Sequence, residues 1–227
     1  MRLQDIYKES VFAVQKEMDM KIIIPKLGIK NGDDFLNNTL VFYIENDIPN
    51  ITMIGELDYF EKLDDIYESF CHELMHGVQN QLNLVKKVNT FNFLGNTYHK
   101  DLESVKEYLI NEGICNYVSY LICESKGWQN TEPRFAINET YAADYLKNVE
   151  KLKKGVDNMP ERAKYSFNYK EMGPFLGNLK SLLLLGQKMY DQGFHYVKQF
   201  HEESGYPIRK TVMRVRDEFK DEVLKGL

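Results

Sequence analysis

Two histidines four residues apart, in His72-Glu73-Leu74-Met75-His76, constrain this chain more than any other stretch. They point the same way only if the segment is helical, because residues i and i+4 lie one above the other on a helix face. At about 100° per residue, Leu63, Ile66, Tyr67, Phe70, Leu74 and Val78 form one apolar stripe, and His72 and His76 fall nearly opposite it with Asp65 and Ser69. Purely structural histidines would put at least one ring on the apolar stripe. The facing suits instead two imidazoles on one metal ion, with Glu73 beside the water that such an ion activates. A helix over about 62–84 is expected.

A catalytic zinc usually takes three protein ligands, so a third must come from outside this helix. The run Leu109-Ile110-Asn111-Glu112-Gly113-Ile114-Cys115-Asn116-Tyr117 places a carboxylate in an otherwise apolar helix. An unpaired buried carboxylate is costly, and a cation partner explains it. Glu112 is therefore the favoured ligand, Gly113 lets helices approach closely, and Asn116 could accept a hydrogen bond from the outer nitrogen of a ligating histidine. His99 is the rival, since imidazole suits zinc and its polar segment could fold back. Glu103 and Glu107 read as solvated helix residues.

With Asn111-Glu112-Gly113 on a second helix, His72-Glu73-Leu74-Met75-His76 resembles the gluzincin group of zinc metallopeptidases, and most of all uncharacterised predicted zinc-dependent proteases. The resemblance covers about residues 51–120 and, more weakly, Tyr190 to Phe194. It departs from the thermolysin pattern in the 35 residues between His76 and Glu112, and in Asn116 where related families often have an aspartate. It implies a zincin-like α+β fold, one zinc held by His72, His76 and Glu112, and Glu73 as general base in peptide-bond hydrolysis. It also implies an oxyanion donor from a later helix. Met189-Tyr190-Asp191-Gln192-Gly193-Phe194-His195 resembles the Tyr-x-x-Gly stretch found there, with Tyr190 first and His195 next. A catalytically silent zincin-fold binding or regulatory module and a small-molecule metalloamidase are the alternative readings.

Around these motifs, residues 3–18 form an amphipathic helix, and Lys21 to Leu27, Leu40 to Ile44 and Ile51 to Ile54 read as strands punctuated by Gly28 and Asn46-Asp47. Glu56 to Tyr59 could add a fourth. An extended substrate could pair with an exposed edge, 40–44 or 51–54. Residues 85–100 look like a polar loop beside the cleft. Helices follow at about 101–125, stopped by Gly127, at 138–154, from Pro174 to Gly205, and at 208–225. The expected architecture is α+β: a single domain over 1–227, with a small sheet before the active-site helix in a lobe of about 1–84 and a helical lobe of about 101–227. A net charge of −5 argues against nucleic acid as main partner, and the basic cluster Arg209, Lys210, Arg214 and Arg216 reads as a solvated helix face. No apolar run approaches membrane-spanning length, the N-terminal residues lack a signal-peptide core, and Cys71, Cys115 and Cys123 make no CxxC pair. A cytoplasmic protein with reduced thiols, no membrane association and a peptide or protein substrate is expected; the sequence leaves its oligomeric state open.

Overall fold

Asn46 and Asp47 adopt positive φ (51° and 62°), the conformation that two-residue hairpin turns demand. They close β2 (Thr39–Glu45) onto β3 (Ile48–Ile54) in an antiparallel ladder running from Glu45↔Ile48 to Thr39↔Ile54. β1 (Lys26–Lys30) joins β3 on its other side in parallel, so the sheet order is β1-β3-β2. The computed structural model describes residues 3–30, 39–54, 63–93, 96–128, 133, 140–158 and 169–218. The expected strand over Glu56 to Tyr59 lies outside them, as does most of 129–137.

Two strand expectations change. Residues 21–25 join no strand ladder, and Gln81 binds them: its Nε2 donates to the Lys21 carbonyl at 3.0 Å, and its Oε1 accepts from the Ile23 N–H at 2.8 Å. Gly28 sits inside β1, where a Cβ would stand 3.0 Å from Thr52 Oγ1. Residues 51–54 belong to the central strand, so they offer no edge to a substrate. Among the described residues, β2 is an outer strand of this sheet.

Helices supply the rest: α1 (Leu3–Glu17), α2 (Leu63–Gln81), α3 (Leu102–Lys126), α4 (Tyr141–Asp157), α5 (Tyr169–Ser204) and α6 (Ile208–Arg214). The fold is α+β and mainly helical, with six helices among the described residues. The polar stretch read as a loop over 85–100 instead forms a second hairpin, β4 (Thr90–Phe93) with β5 (Asn96–His99), in register Phe91↔Tyr98. Its Phe91 and Tyr98 rings meet at 5.5 Å, the aromatic cross-strand contact that holds such a pair. α4 runs past Gly155, α5 begins five residues ahead of Pro174, and α6 ends at Arg214; residues beyond 218 lie outside the described set.

α3 is the centre of the packing. It starts on a capping box, in which Asp101 accepts from the Ser104 N–H at 2.8 Å and Ser104 Oγ accepts from the Asp101 N–H at 3.1 Å. It ends at Gly127 in the left-handed region, φ 69°. Between these caps it buries residues on all sides, from Val105 to Cys123, against α2 and α5. Where it meets α5, Gly113 lies against Gly193: a Cβ on Gly113 would stand 2.8 Å from the Gly193 Cα and closer still to its carbonyl. The two glycines let the helix backbones touch. One apolar core unites residues of α1, the sheet and all the later helices. No helix among the described residues is long and apolar enough to cross a membrane.

Candidate metal centre

The apolar stripe expected on α2 is buried: Ile66, Tyr67, Phe70, Leu74 and Val78 are each at most 3% exposed. Cys71, Met75 and Gln79 are buried as well, so α2 is covered on more than the one expected side. His72 and His76 remain half-buried and turn toward Glu112 on α3.

Three potential donor atoms converge there. The Nε2 atoms of His72 and His76 are 3.2 Å apart, and Glu112 Oε2 lies 3.2 Å from the first and 3.4 Å from the second. Donors at zinc distances of about 2.0–2.1 Å on a tetrahedron stand about 3.3–3.4 Å from each other, so the three atoms already occupy one face of such a polyhedron. Glu112 Oε2 is buried and makes no hydrogen bond of its own, which fits an atom meant for a cation. Burial alone would raise the Glu112 carboxyl, but His76 and His72 override it and hold that carboxyl well below the ordinary range. Burial works against His76 protonation, and Cys115 and Glu112 outweigh it, so that imidazole is pushed up.

Cys115, one helical turn after Glu112, comes within 3.4 Å of His76 through Nδ1. His72, His76 and Cys115 form a group whose donor atoms lie within 4.8 Å of each other and could hold a metal ion. Glu112 completes a tighter set with the same histidines. The sets differ in which His76 nitrogen they use: Nε2 faces His72 and Glu112, whereas Nδ1 faces Cys115. A metal bound through the two Nε2 atoms leaves Cys115 on the outer nitrogen of His76, the place expected for Asn116. Burial pushes the Cys115 thiol up to about 11, against the pull of His76, so it meets Nδ1 as a thiol.

Glu73 does not join either set. Its Oε2 accepts the Phe42 N–H at 2.7 Å, a donor that points away from β3 on the outer edge of β2. Burial raises its carboxyl, opposed by the two histidines. β2 crosses α2 close by, since a Cβ on Gly77 would meet the Phe42 ring at 3.3 Å.

Two hollows meet at the cluster. One, about 500 Å³, is lined by Leu40, Phe42, Ile44 and Glu73 and reaches His76 and Glu112. The other, about 840 Å³, also reaches His76 and Glu112 and extends toward His99, Tyr108, Tyr145 and Tyr190. His99 is thus beside the site but outside the converging group; its ring packs on Tyr108 at 4.6 Å, and burial lowers it. Tyr190 lies edge-on to Tyr108 at 5.2 Å, their hydroxyls hydrogen-bonded, and burial followed by the Glu112 charge raises it strongly. His195 packs on Phe194 at 5.5 Å and does not line this hollow.

Behind the site, Glu107 is 2% exposed and paired with Arg216 and, at 2.9 Å, with Lys86, so neither Glu107 nor Arg216 is the solvated residue expected. Arg216 also donates to Asn111 Oδ1, and Gln79 Nε2 donates to the Asn111 carbonyl at 2.8 Å. These contacts brace the turn of α3 that carries Glu112. Cys71, Cys115 and Cys123 are all free and buried.

Comparison with family profiles, curated proteins and solved structures finds no match. The site's own geometry carries the functional reading.

Proposed function

We propose that the protein is a zinc-dependent peptidase in which His72, His76 and Glu112 hold one zinc per chain and Glu73 is the general base. The observation that carries the reading is the convergence of the two Nε2 atoms and Glu112 Oε2 at tetrahedral-edge separations, with Glu73 next in sequence and anchored to the edge of a strand. Zinc bound there supplies Lewis acidity to a water molecule and to the scissile carbonyl.

The chain's own residues do the rest. The Phe42 N–H fixes Glu73 through Oε2, and the other oxygen is assigned to take the water proton and deliver it to the leaving amine. A carboxyl raised by burial suits that exchange better than an ordinary surface carboxylate. An extended substrate lies along the outer edge of β2, which brings its scissile bond over Glu73 and the histidines. Tyr190, protonated throughout, donates a hydrogen bond to the carbonyl oxygen as it gains charge.

The test is a peptide-library digest with zinc-loaded wild type and Glu73→Gln. Sequence-dependent cleavage by the wild type, absent from a Glu73→Gln variant that still holds zinc, is the expected result. Turnover by Glu73→Gln at the wild-type rate would remove Glu73 from the chemistry. Hydrolysis of small amides alone would move the reading to a metalloamidase, and silence of the wild type with zinc bound would move it to a binding module.

A further inference from the structure

The larger hollow has a composition of its own, and it sits against the candidate metal centre. Tyr98, Tyr108 and Tyr145 give it an aromatic wall, and Leu182 and Val88 add apolar surface. At its mouth Val85, Leu183 and Leu184 are 52%, 67% and 47% exposed, an apolar rim that a bound side chain would cover.

Besides Glu112, two of its lining residues carry a buried polar atom with no partner. Gln79 is fully buried in the wall, its Nε2 committed to the Asn111 carbonyl and its Oε1 without a partner. His99 Nδ1 is likewise buried and unpartnered.

The charges discriminate too. Lys86 is paired with Glu107 at 2.9 Å and Glu103 at 4.0 Å, which with Arg216 on Glu107 makes a balanced group of four charges, and burial holds His99 toward its uncharged form. At the inner end Glu112 and, across the cluster, Glu73 would balance the charge of a bound zinc. An acidic side chain would lose its water against this apolar wall with no unpaired side-chain cation among the described lining residues to receive it.

Resting on the peptidase reading above, we propose that this hollow is the selectivity pocket, taking a large aliphatic or aromatic side chain beside the scissile bond and rejecting small and acidic ones. At about 840 Å³ it holds such a side chain together with part of the flanking backbone. Gly186 lines it, and a Cβ there would meet nothing within 4 Å, so a larger residue at this position narrows the pocket and leaves the helix undisturbed.

The experiment measures binding in zinc-loaded Glu73→Gln, so that turnover does not interfere. Four fluorescein-labelled hexapeptides, identical except for Phe, Leu, Ala or Asp at one central position, are titrated by anisotropy. The Phe and Leu peptides bind about tenfold or more tighter than the Ala and Asp peptides. Adding Gly186→Leu abolishes that preference while zinc content holds and the melting temperature does not fall. Equal affinity for all four, no binding of any, or a preference that survives Gly186→Leu each overturns the pocket assignment. If wild type leaves the tightly bound Phe peptide uncut, the peptidase reading fails while the pocket preference stands.

Discussion

Replacing Gly113 with alanine probes the contact that brings α5 against the site. The added Cβ would lie 2.8 Å from the Gly193 Cα and nearer still to its carbonyl, against an ordinary contact of 3.4–4 Å. The obstacle is backbone, so no side chain can swing aside, and the two helices must part by on the order of 1 Å. Overpacking of this kind costs about 1–3 kcal/mol, and a rigid backbone obstacle belongs at the upper end. Alanine returns about 1 kcal/mol of helix propensity, leaving a net loss of about 2 kcal/mol. For a chain of this size that lowers Tm by roughly 4–8 °C. Gly186→Ala is the control: its Cβ meets nothing within 4 Å, so propensity alone acts and Tm rises by roughly 2–4 °C. Thermal unfolding of both metal-free variants by circular dichroism makes the comparison. A Gly113→Ala protein as stable as wild type would refute the close crossing, and with it the placement of Tyr190 of α5 on the Glu112 side of the cleft.

Other perturbations separate the roles around the cluster. Glu112→Ala loses zinc in a chelator competition while His99→Ala keeps it nearly unchanged; the reverse ranking would make His99 the ligand. Tyr190→Phe lowers kcat by about 10²-fold with zinc content intact, and an unchanged kcat beside a large loss in His195→Ala would transfer the oxyanion role. Cys115→Ala weakens zinc by about 10-fold through loss of the partner on His76 Nδ1, and Cys115→Ser restores most of it. If serine binds zinc no better than alanine, Cys115 does not act through a hydrogen bond.

What could be read without coordinates follows from how local each signal is. α2 was legible because four-residue spacing and an apolar stripe lie within one helix, and the burial of Glu112 beside a charged partner because a carboxylate inside an apolar run already poses an electrostatic problem. The hairpin over Thr90–His99 was not, because its strands are short and polar, and strand preference depends on the partner that Phe91 finds in Tyr98. Phe42 was invisible as the anchor of Glu73: a backbone N–H has no sequence signature, and its availability depends on β2 lying at the edge of the sheet. Glu107 and Arg216 each look solvated alone, and only the tertiary fold that brings them together makes both buried. Cys115 carried a readable signal, one turn from Glu112 on the same face, but its apolar surroundings argued equally for an ordinary core thiol.

The most direct measurement is zinc-edge X-ray absorption on the purified, zinc-loaded protein, with metal content determined on the same sample. One zinc per chain is expected, with only nitrogen and oxygen donors at about 2.0–2.1 Å. A sulfur donor at about 2.3 Å would place Cys115 in the coordination sphere in place of an outer position, and failure to retain any stoichiometric metal would contradict the site altogether.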